Sequence, residues 1–528
     1  MSQVASRITY HVSRFTFHIL RHRLAALIAT LVASEAIYLY AFARRYALLR
    51  YWNEPLLDLG KIAQRDFVWA AEFVAAFVAL FALYALAIRL CHSERSKESH
   101  PRVTKALRRF AAQGDRLWLV VIVGTLVFGV TLLLVYPVGA GDIFDYVVHG
   151  VLLARYHVSP LVQVGASFPQ EPLVAFSAWR HYPSYYGPLW SWLEAGVDLF
   201  AGPRDLLANL LMFKSVALAG VLCSAWLIAQ IVARRAPDRA LQSVVFLAWN
   251  PLVLFEATTN GHNDVIMLAF VLAAFLAWER GRWTWAVVAM TLSVLVKAPP
   301  LPLLGLLSVA VVAQAPGWQV KLQRAAISAG FVAALMGVAY LTFPQSLASA
   351  LNLRGRTELF TNSLPAVVMR LLQLAMPKAA AESLARTGAL LAFALFGTWK
   401  AWQTWKEPAR LLRSSFETIA FLLLLATPWF QPWYALWLVA LAAIFPRESK
   451  GTDAAQKLAG LFSLTVTWSY VVYGFAWFWF VPQMNWGNTL GVQATGFLVT
   501  YALPLAYLAR RACRIKGGLS EKKARSSR

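Results

Sequence analysis

Apolar blocks of about 20 residues recur from one end of the chain to the other, parted by short polar and basic stretches. The blocks are continuously apolar, not alternating, so they read as helices that cross a bilayer and not as strands of a barrel. Lipid offers no water to backbone polar groups, and a helix satisfies those groups internally. Hydropathy places spans near 23–43, 67–90, 117–138, 206–233, 241–258 and 263–279. A seventh rises to Lys297, an eighth descends from Pro300 and a ninth covers 325–343. Further spans fall near 383–403, 413–427, 432–446, 457–480 and 488–510. The expected fold is an all-α, polytopic membrane bundle of about 13 to 14 spans. The apolar piece Pro188–Phe200 is too short to cross and holds Glu194 and Asp198, so it is expected to lie flat at the outer surface.

Charge sets the orientation. Lys and Arg number 49 against 25 Asp and Glu, a formal net charge of +24, yet only 14% of residues are charged where a soluble chain has roughly 25%. The excess sits in short loops between apolar blocks, as the positive-inside rule requires, and this removes the case for nucleic acid. Arg95, Lys97, Arg102, Lys105, Arg108, Arg109 and Arg116 put the segment 91–116 in the cytoplasm, so the next span delivers the interval 139–205 to the outer face. Both termini are expected inside, in the plasma (inner) membrane. Arg44, Arg45, Arg50 and Lys61 run against the rule, since they fall outside. Four stretches follow: 1–116, a two-helix extension and basic loop; 117–345, a membrane module with its outer loop 139–205; 346–510, the C-terminal helices; and 511–528, a basic tail. The first helix reads as uncleaved, because no small-residue cleavage site follows it. Cys91, Cys223 and Cys513 form neither a disulfide framework nor a metal-binding spacing.

The orientation gathers polar groups at the outer ends of helices: Asp142, Asp145, His149, Glu256, His262, Asp264, Lys297, Arg354 and Gln431 among them. Ionisable groups at such depth cost several kcal/mol unless they pair or line a wet cavity, so their convergence suggests a site. Asp142, Asp145 and His149 stand at i, i+3 and i+7, one face of a helix; that face is either solvated or functional. Asp142 follows Pro137-Val138-Gly139-Ala140-Gly141, where glycine lets backbone approach a ligand. Asn260, Asn263 and Asp264 are good helix caps, and capping alone is the bland reading of that stretch; it leaves His262 and the nearby Glu256 unexplained. Lys297 ends a helix before Pro299-Pro300 and either snorkels or pairs with a phosphate. Arg354 and Arg356 either lie exposed in a loop or grip a phosphate bidentately. Tyr182, Tyr185, Tyr186, Trp190, Trp192 and the Trp429–Tyr434 cluster read as an aromatic belt or as walls of a sugar groove.

The ordered set of motifs resembles a known family. Gly141-Asp142-Ile143-Phe144-Asp145-Tyr146 after an early span looks like the signature loop of the GT-C membrane glycosyltransferases. Tyr186-Gly187-Pro188-Leu189-Trp190, Trp249-Asn250-Pro251-Leu252, Asn260-Gly261-His262-Asn263-Asp264, Val296-Lys297-Ala298-Pro299 and Pro428-Trp429-Phe430-Gln431-Pro432-Trp433-Tyr434 follow in order. That succession, over roughly 117–446, is similar to the bacterial polyprenol-phosphomannose-dependent α-mannosyltransferases. Ser159-Pro160-Leu161 departs from the family's usual Asn-Pro-Tyr. The resemblance implies an enzyme that transfers a hexose, mannose first, from a polyprenyl-phosphate donor to a glycan or glycolipid acceptor on the extracytoplasmic face, with inversion. It makes Asp142 the catalytic base. Lys297, Arg354 and Arg356 are expected at the donor phosphate. Asp145, Tyr146, His149, Tyr186, Glu256, His262, Asn263, Asp264 and Gln431 are expected near substrate. The scheme requires no cofactor or metal, although Asp145, His149 and Asp264 leave a divalent ion open. Alternatives are a transporter or lipid flippase, and a surface polysaccharide ligase or polymerase.

Overall fold

The structure, a computed structural model, describes residues 22–91, 104–202, 204–343, 359–445, 453–480 and 490–526. In chain order its main helices are α1 (His22–Ala43), α2 (Phe67–Leu90), α3 (Thr104–Leu133), α4 (Asp142–Ala154), α5 (Pro188–Ala201), α6 (Leu206–Ala233), α7 (Ala240–Ala248) and α8 (Pro251–Leu254). Then come α9 (Asp264–Glu279), α10 (Trp283–Val296), α11 (Leu301–Ala313), α12 (Gly317–Leu341), α13 (Leu364–Leu372), α14 (Lys378–Lys406), α15 (Leu411–Phe421), α16 (Ala435–Ala443), α17 (Asp453–Val471) and α18 (Leu490–Ser526). Among the described residues eight helices are long and apolar enough to cross a membrane, and the bent pair α7–α8 makes a ninth. Shorter apolar helices, α10, α11 and α16, fall where further spans are expected, as do the short helices α9 and α15. The molecule is an all-α, multi-pass membrane protein.

Helix starts follow from local chemistry. Asp66 opens α2 and Asp205 opens α6; each carboxylate accepts a backbone N–H of the first turn, from Trp69 at 3.1 Å and Ala208 at 2.9 Å. The α7–α8 span bends by 50° at Asn250-Pro251. Pro251 lacks an N–H, and the Asn250 side chain accepts from Leu252 and Val253 instead. Its amide then donates to Ser463 at 3.1 Å, which ties the bend to α17.

One continuous core runs from Leu27 on α1 to Tyr501 on α18. Leucines, valines and isoleucines such as Leu119, Ile122 and Leu395 stay exposed on outward faces, as lipid-facing side chains do. The expected outer helix is present as α5. It does not float on the surface, however: it packs along α4, close enough that a Cβ at Gly150 would strike the Glu194 carbonyl at 2.5 Å. The two acidic residues that argue against a span are buried against α4. Arg155 donates twice to Asp198, at 2.7 and 2.8 Å, and His149 Nδ1 lies 3.3 Å from Glu194.

Candidate active site

Asp142 is the first residue of α4, preceded by the turn 139–141. A carboxylate there sits at the positive end of the helix dipole. The turn is fixed from the α8–α9 corner: Gly139 N–H donates to Asn260 Oδ1 at 3.0 Å. A Cβ at Gly139 would fall 2.5 Å from the Asn260 amide, so the close approach needs glycine. Asn260 in turn donates to Glu256 at 2.8 Å, and Tyr470 donates to the same carboxylate at 2.5 Å. Gly261 turns the chain with φ +75°, a conformation glycine adopts freely.

Around the carboxylate, Tyr186 donates to Asp142 Oδ2 at 2.8 Å, and Tyr146 donates to the Tyr186 oxygen at 3.3 Å. His262 Nδ1 stands 4.0 Å away on another side, stacked on Trp433 and with its Nε2 3.4 Å from Glu256. Burial pushes the Asp142 carboxyl above its ordinary value, while the Tyr186 hydroxyl and the Lys297 charge pull it back. Asp145 is pushed up to about 7, chiefly by burial. Burial works to lower His149, but Glu194, Asp145 and Asp142 outweigh it and leave the imidazole above its usual range. His262 is held well below its ordinary value by burial and by Lys297.

Lys297 caps the C-terminus of α10 and donates to both oxygens of buried Asp264, at 3.0 and 2.8 Å. Trp437 donates to the same carboxylate at 2.6 Å. The ammonium lies 5.4 to 6.0 Å from the ring centres of Tyr434, Tyr186 and Trp437.

Two cavities flank the Asp142 turn. The first, about 390 Å³, is lined by Asp142, Asp145, His149 and Lys297 and walled by Tyr182, Tyr185, Tyr186, Trp429, Trp433 and Tyr434. The second, about 690 Å³, runs along Gly139, Ala140 and Gly141 and is lined by Asp58, Lys61, Arg370, Lys378, Glu382 and Gln431. Trp179 and Trp429 border both, packed edge to face with ring centres 6.0 Å apart.

The site residues expected from sequence thus divide into three groups. Asp142, Asp145, His149, Tyr186 and Lys297 line the aromatic cavity, and Gln431 lines the larger one. Tyr146, Glu256, His262, Asn263 and Asp264 are buried and line neither. Arg354 and Arg356 lie outside the described residues. Asn263 stands at the start of α9 but makes no side-chain capping bond, so the bland account fails for that residue. Asp145 is engaged by Ser177 and by the Trp179 N–H, His149 by Glu194 and Asp264 by Lys297. Among the described residues no group of three or more His, Cys, Asp or Glu is placed to hold a metal ion.

Several supporting residues escape sequence reasoning. Lys214, wholly buried in α6, donates to the Leu133 carbonyl at 3.3 Å and to Val135 at the end of α3, four residues before the turn. Its signal is a lone cation in an apolar block. Tyr470 and Trp437 carry no such signal, since aromatics are common in spans.

The family described as alpha-(1->6)-mannopyranosyltransferase, N-terminal domain, matches residues 23–314. An alpha-(1->6)-mannopyranosyltransferase of Mycobacterium tuberculosis is 28% identical over 145 residues, 27% of this chain and 24% of that protein. A probable alpha-(1->6)-mannopyranosyltransferase of Mycolicibacterium smegmatis is 25% identical over 213 residues, 34% of this chain and 38% of that protein. Alpha-(1->6)-mannopyranosyltransferase B of Corynebacterium glutamicum is 27% identical over 154 residues, 28% of this chain and 25% of that protein. The chain spans a quarter to two fifths of the length of these curated relatives. No solved structure matches.

Proposed function

The chain belongs to the alpha-(1->6)-mannopyranosyltransferase family, and from that premise we propose that it transfers mannose from a polyprenyl-phosphate donor to a glycan or glycolipid hydroxyl on the extracytoplasmic face of the plasma (inner) membrane. The observation that carries this reading is the placement of Asp142. It is a carboxylate at a cavity wall, held by a tyrosine hydroxyl and surrounded by aromatic rings of the kind that stack on sugars.

In the step, the acceptor hydroxyl in the aromatic cavity gives its proton to Asp142 as its oxygen attacks the anomeric carbon. The new glycosidic bond forms as the bond from that carbon to the donor phosphate oxygen breaks. The electron pair leaves with the phosphate, and the configuration inverts. An elevated carboxyl is a better base than an ordinary aspartate. Tyr186 fixes the orientation of Asp142 and Tyr146 fixes Tyr186. Asp145 holds the 177–179 segment that brings Trp179 to the cavity. Lys297, bound to Asp264, keeps positive charge beside the base and supports the Tyr186 and Tyr434 walls. Glu256, His262 and Asn263 back the site from behind. In reconstituted membranes supplied with lipid-linked mannose, Asp142→Asn is expected to lower the transfer rate by about 10²- to 10⁴-fold at unchanged expression. Activity equal to wild type would remove Asp142 from the base role.

A further inference from the structure

We infer that the larger cavity, lined by Lys61, Arg370 and Lys378, seats the phosphate of the lipid donor, on the far side of the Trp179–Trp429 partition from the aromatic cavity that takes the acceptor. The inference rests on the lipid-phosphate transfer reading and deepens it.

Electrostatics separates the two cavities. In the aromatic one Lys297 is already bound to Asp264 and His149 to Glu194, while two carboxylates, Asp142 and Asp145, line the wall. A phosphate entering there meets a net negative wall. The larger cavity holds three cations against two carboxylates, Asp58 and Glu382. The cations are held chiefly by neutral groups: Lys61 donates to the Leu56 carbonyl at 2.6 Å and Arg370 to Gln373 at 2.7 Å, while Lys61 Nζ is 3.6 Å from Asp58 and Lys378 Nζ is 3.7 Å from Glu382. The leaving phosphate gains charge as the bond breaks, ending as a monoester of about −1.5 to −2 at neutral pH. Cations fixed where that charge develops favour the transition state over the ground state.

Access to the bilayer points the same way. Helix α13 is apolar on both sides: Pro365, Ala366 and Met369 face inward, and Val368 and Leu371 are exposed, with Leu374 just beyond the helix, as lipid-facing side chains are. Arg370, the one charged residue of this helix, lines the cavity beside that exposed apolar face. Ser363 caps α13 and also donates to the Pro428 carbonyl at 2.6 Å, tying the helix to the segment that carries Trp429 and Gln431. A lipid phosphate at Arg370 leaves its hydrocarbon chain free to enter the membrane. Lys61 thereby acquires a reason to break the positive-inside rule: an outer-face cation is kept because an anion binds it. The turn 139–141 edges this cavity while Asp142 lines the other. A phosphate on one side of the turn and a hydroxyl on the other can meet at one anomeric carbon.

The test is direct binding of unglycosylated undecaprenyl monophosphate to the full chain in nanodiscs, read by native mass spectrometry, with mannosyl transfer measured in parallel. Arg370→Ala and the Lys61→Ala/Lys378→Ala pair are each expected to weaken binding about tenfold. Arg370→Lys should recover part of the loss, which a misfolded variant would not. Arg50→Ala, an outer cation that lines neither cavity, should leave binding unchanged. Lys297→Met should keep lipid-phosphate binding and lose turnover. Wild-type binding in both Arg370→Ala and the Lys61→Ala/Lys378→Ala pair, or a loss confined to Lys297→Met, would place the phosphate in the aromatic cavity and overturn the inference. Failure of the wild-type chain to bind the lipid phosphate would overturn it together with the donor reading. The expected binding pattern without any mannosyl transfer would sustain the cavity assignment and sink the transfer reading alone.

Discussion

At the scale of single residues, the behaviour of Asp142 is set by what competes for its charge. Burial favours the neutral acid; the Tyr186 hydroxyl and Lys297 favour the carboxylate. A base works only when deprotonated, so activity rises with pH through the folded-state value, which lies above the ordinary aspartate range. Tyr186→Phe removes a hydrogen bond that lowers this value. The acid limb of the kcat/KM profile is therefore expected to move to higher pH, with a lower plateau; a profile unchanged in position would show that the hydroxyl does not act on the base. Asp142 was legible in the sequence because a carboxylate directly after a span needs a reason. Tyr186 was legible from the residues as one aromatic among many, and through the family resemblance as a residue near substrate. The partner of Lys297 was not legible, because Asp264 lies 33 positions away and only packing of α9 on α10 brings the two together.

At the scale of elements, the site depends on helices that approach more closely than side chains ordinarily allow. Gly187 opens α5 and donates to the Val296 carbonyl at 2.9 Å, and a Cβ there would strike the Leu295 backbone. This contact sets Tyr186 beside Lys297, since each is the immediate neighbour of a contacting residue. Gly187→Ala is expected to cost about 1–3 kcal/mol through overpacking. Because the strain falls between Tyr186 and Lys297, transfer should drop by more than the lost stability explains. A variant with wild-type melting temperature and full activity would show that the two helices have room to part. The span limits were readable because a run of apolar residues bounded by Asp, Pro or Arg has few alternatives. The bend at Asn250 had its proline signal too, but its lock to Ser463 joins residues 213 apart and needs the packed bundle.

At the scale of the whole molecule, chain direction through the membrane decides which side the site faces. Helix α6 has 28 residues, about 42 Å, enough to separate its two ends across a bilayer. Gln170 is exposed on the loop over the site and Arg234 is exposed at the far end of α6. In a cysteine-free background, Gln170→Cys is expected to react with a membrane-impermeant maleimide in intact cells, and Arg234→Cys only after permeabilisation; the reverse pattern would turn the molecule over. Hydropathy and charge, properties of the chain read locally, determined the class, the nine spans long enough to cross among the described residues and the polar residues that needed explaining. Those follow from the bilayer itself, which demands apolar blocks of fixed length and penalises each unpaired charge wherever it stands. The assignment of those polar residues to partners was decided only by tertiary structure. Distances of 3 Å between helices far apart in sequence made Lys297 a partner of Asp264, put Asn260 behind the Asp142 turn and split the surroundings of that turn into an aromatic and a cationic cavity.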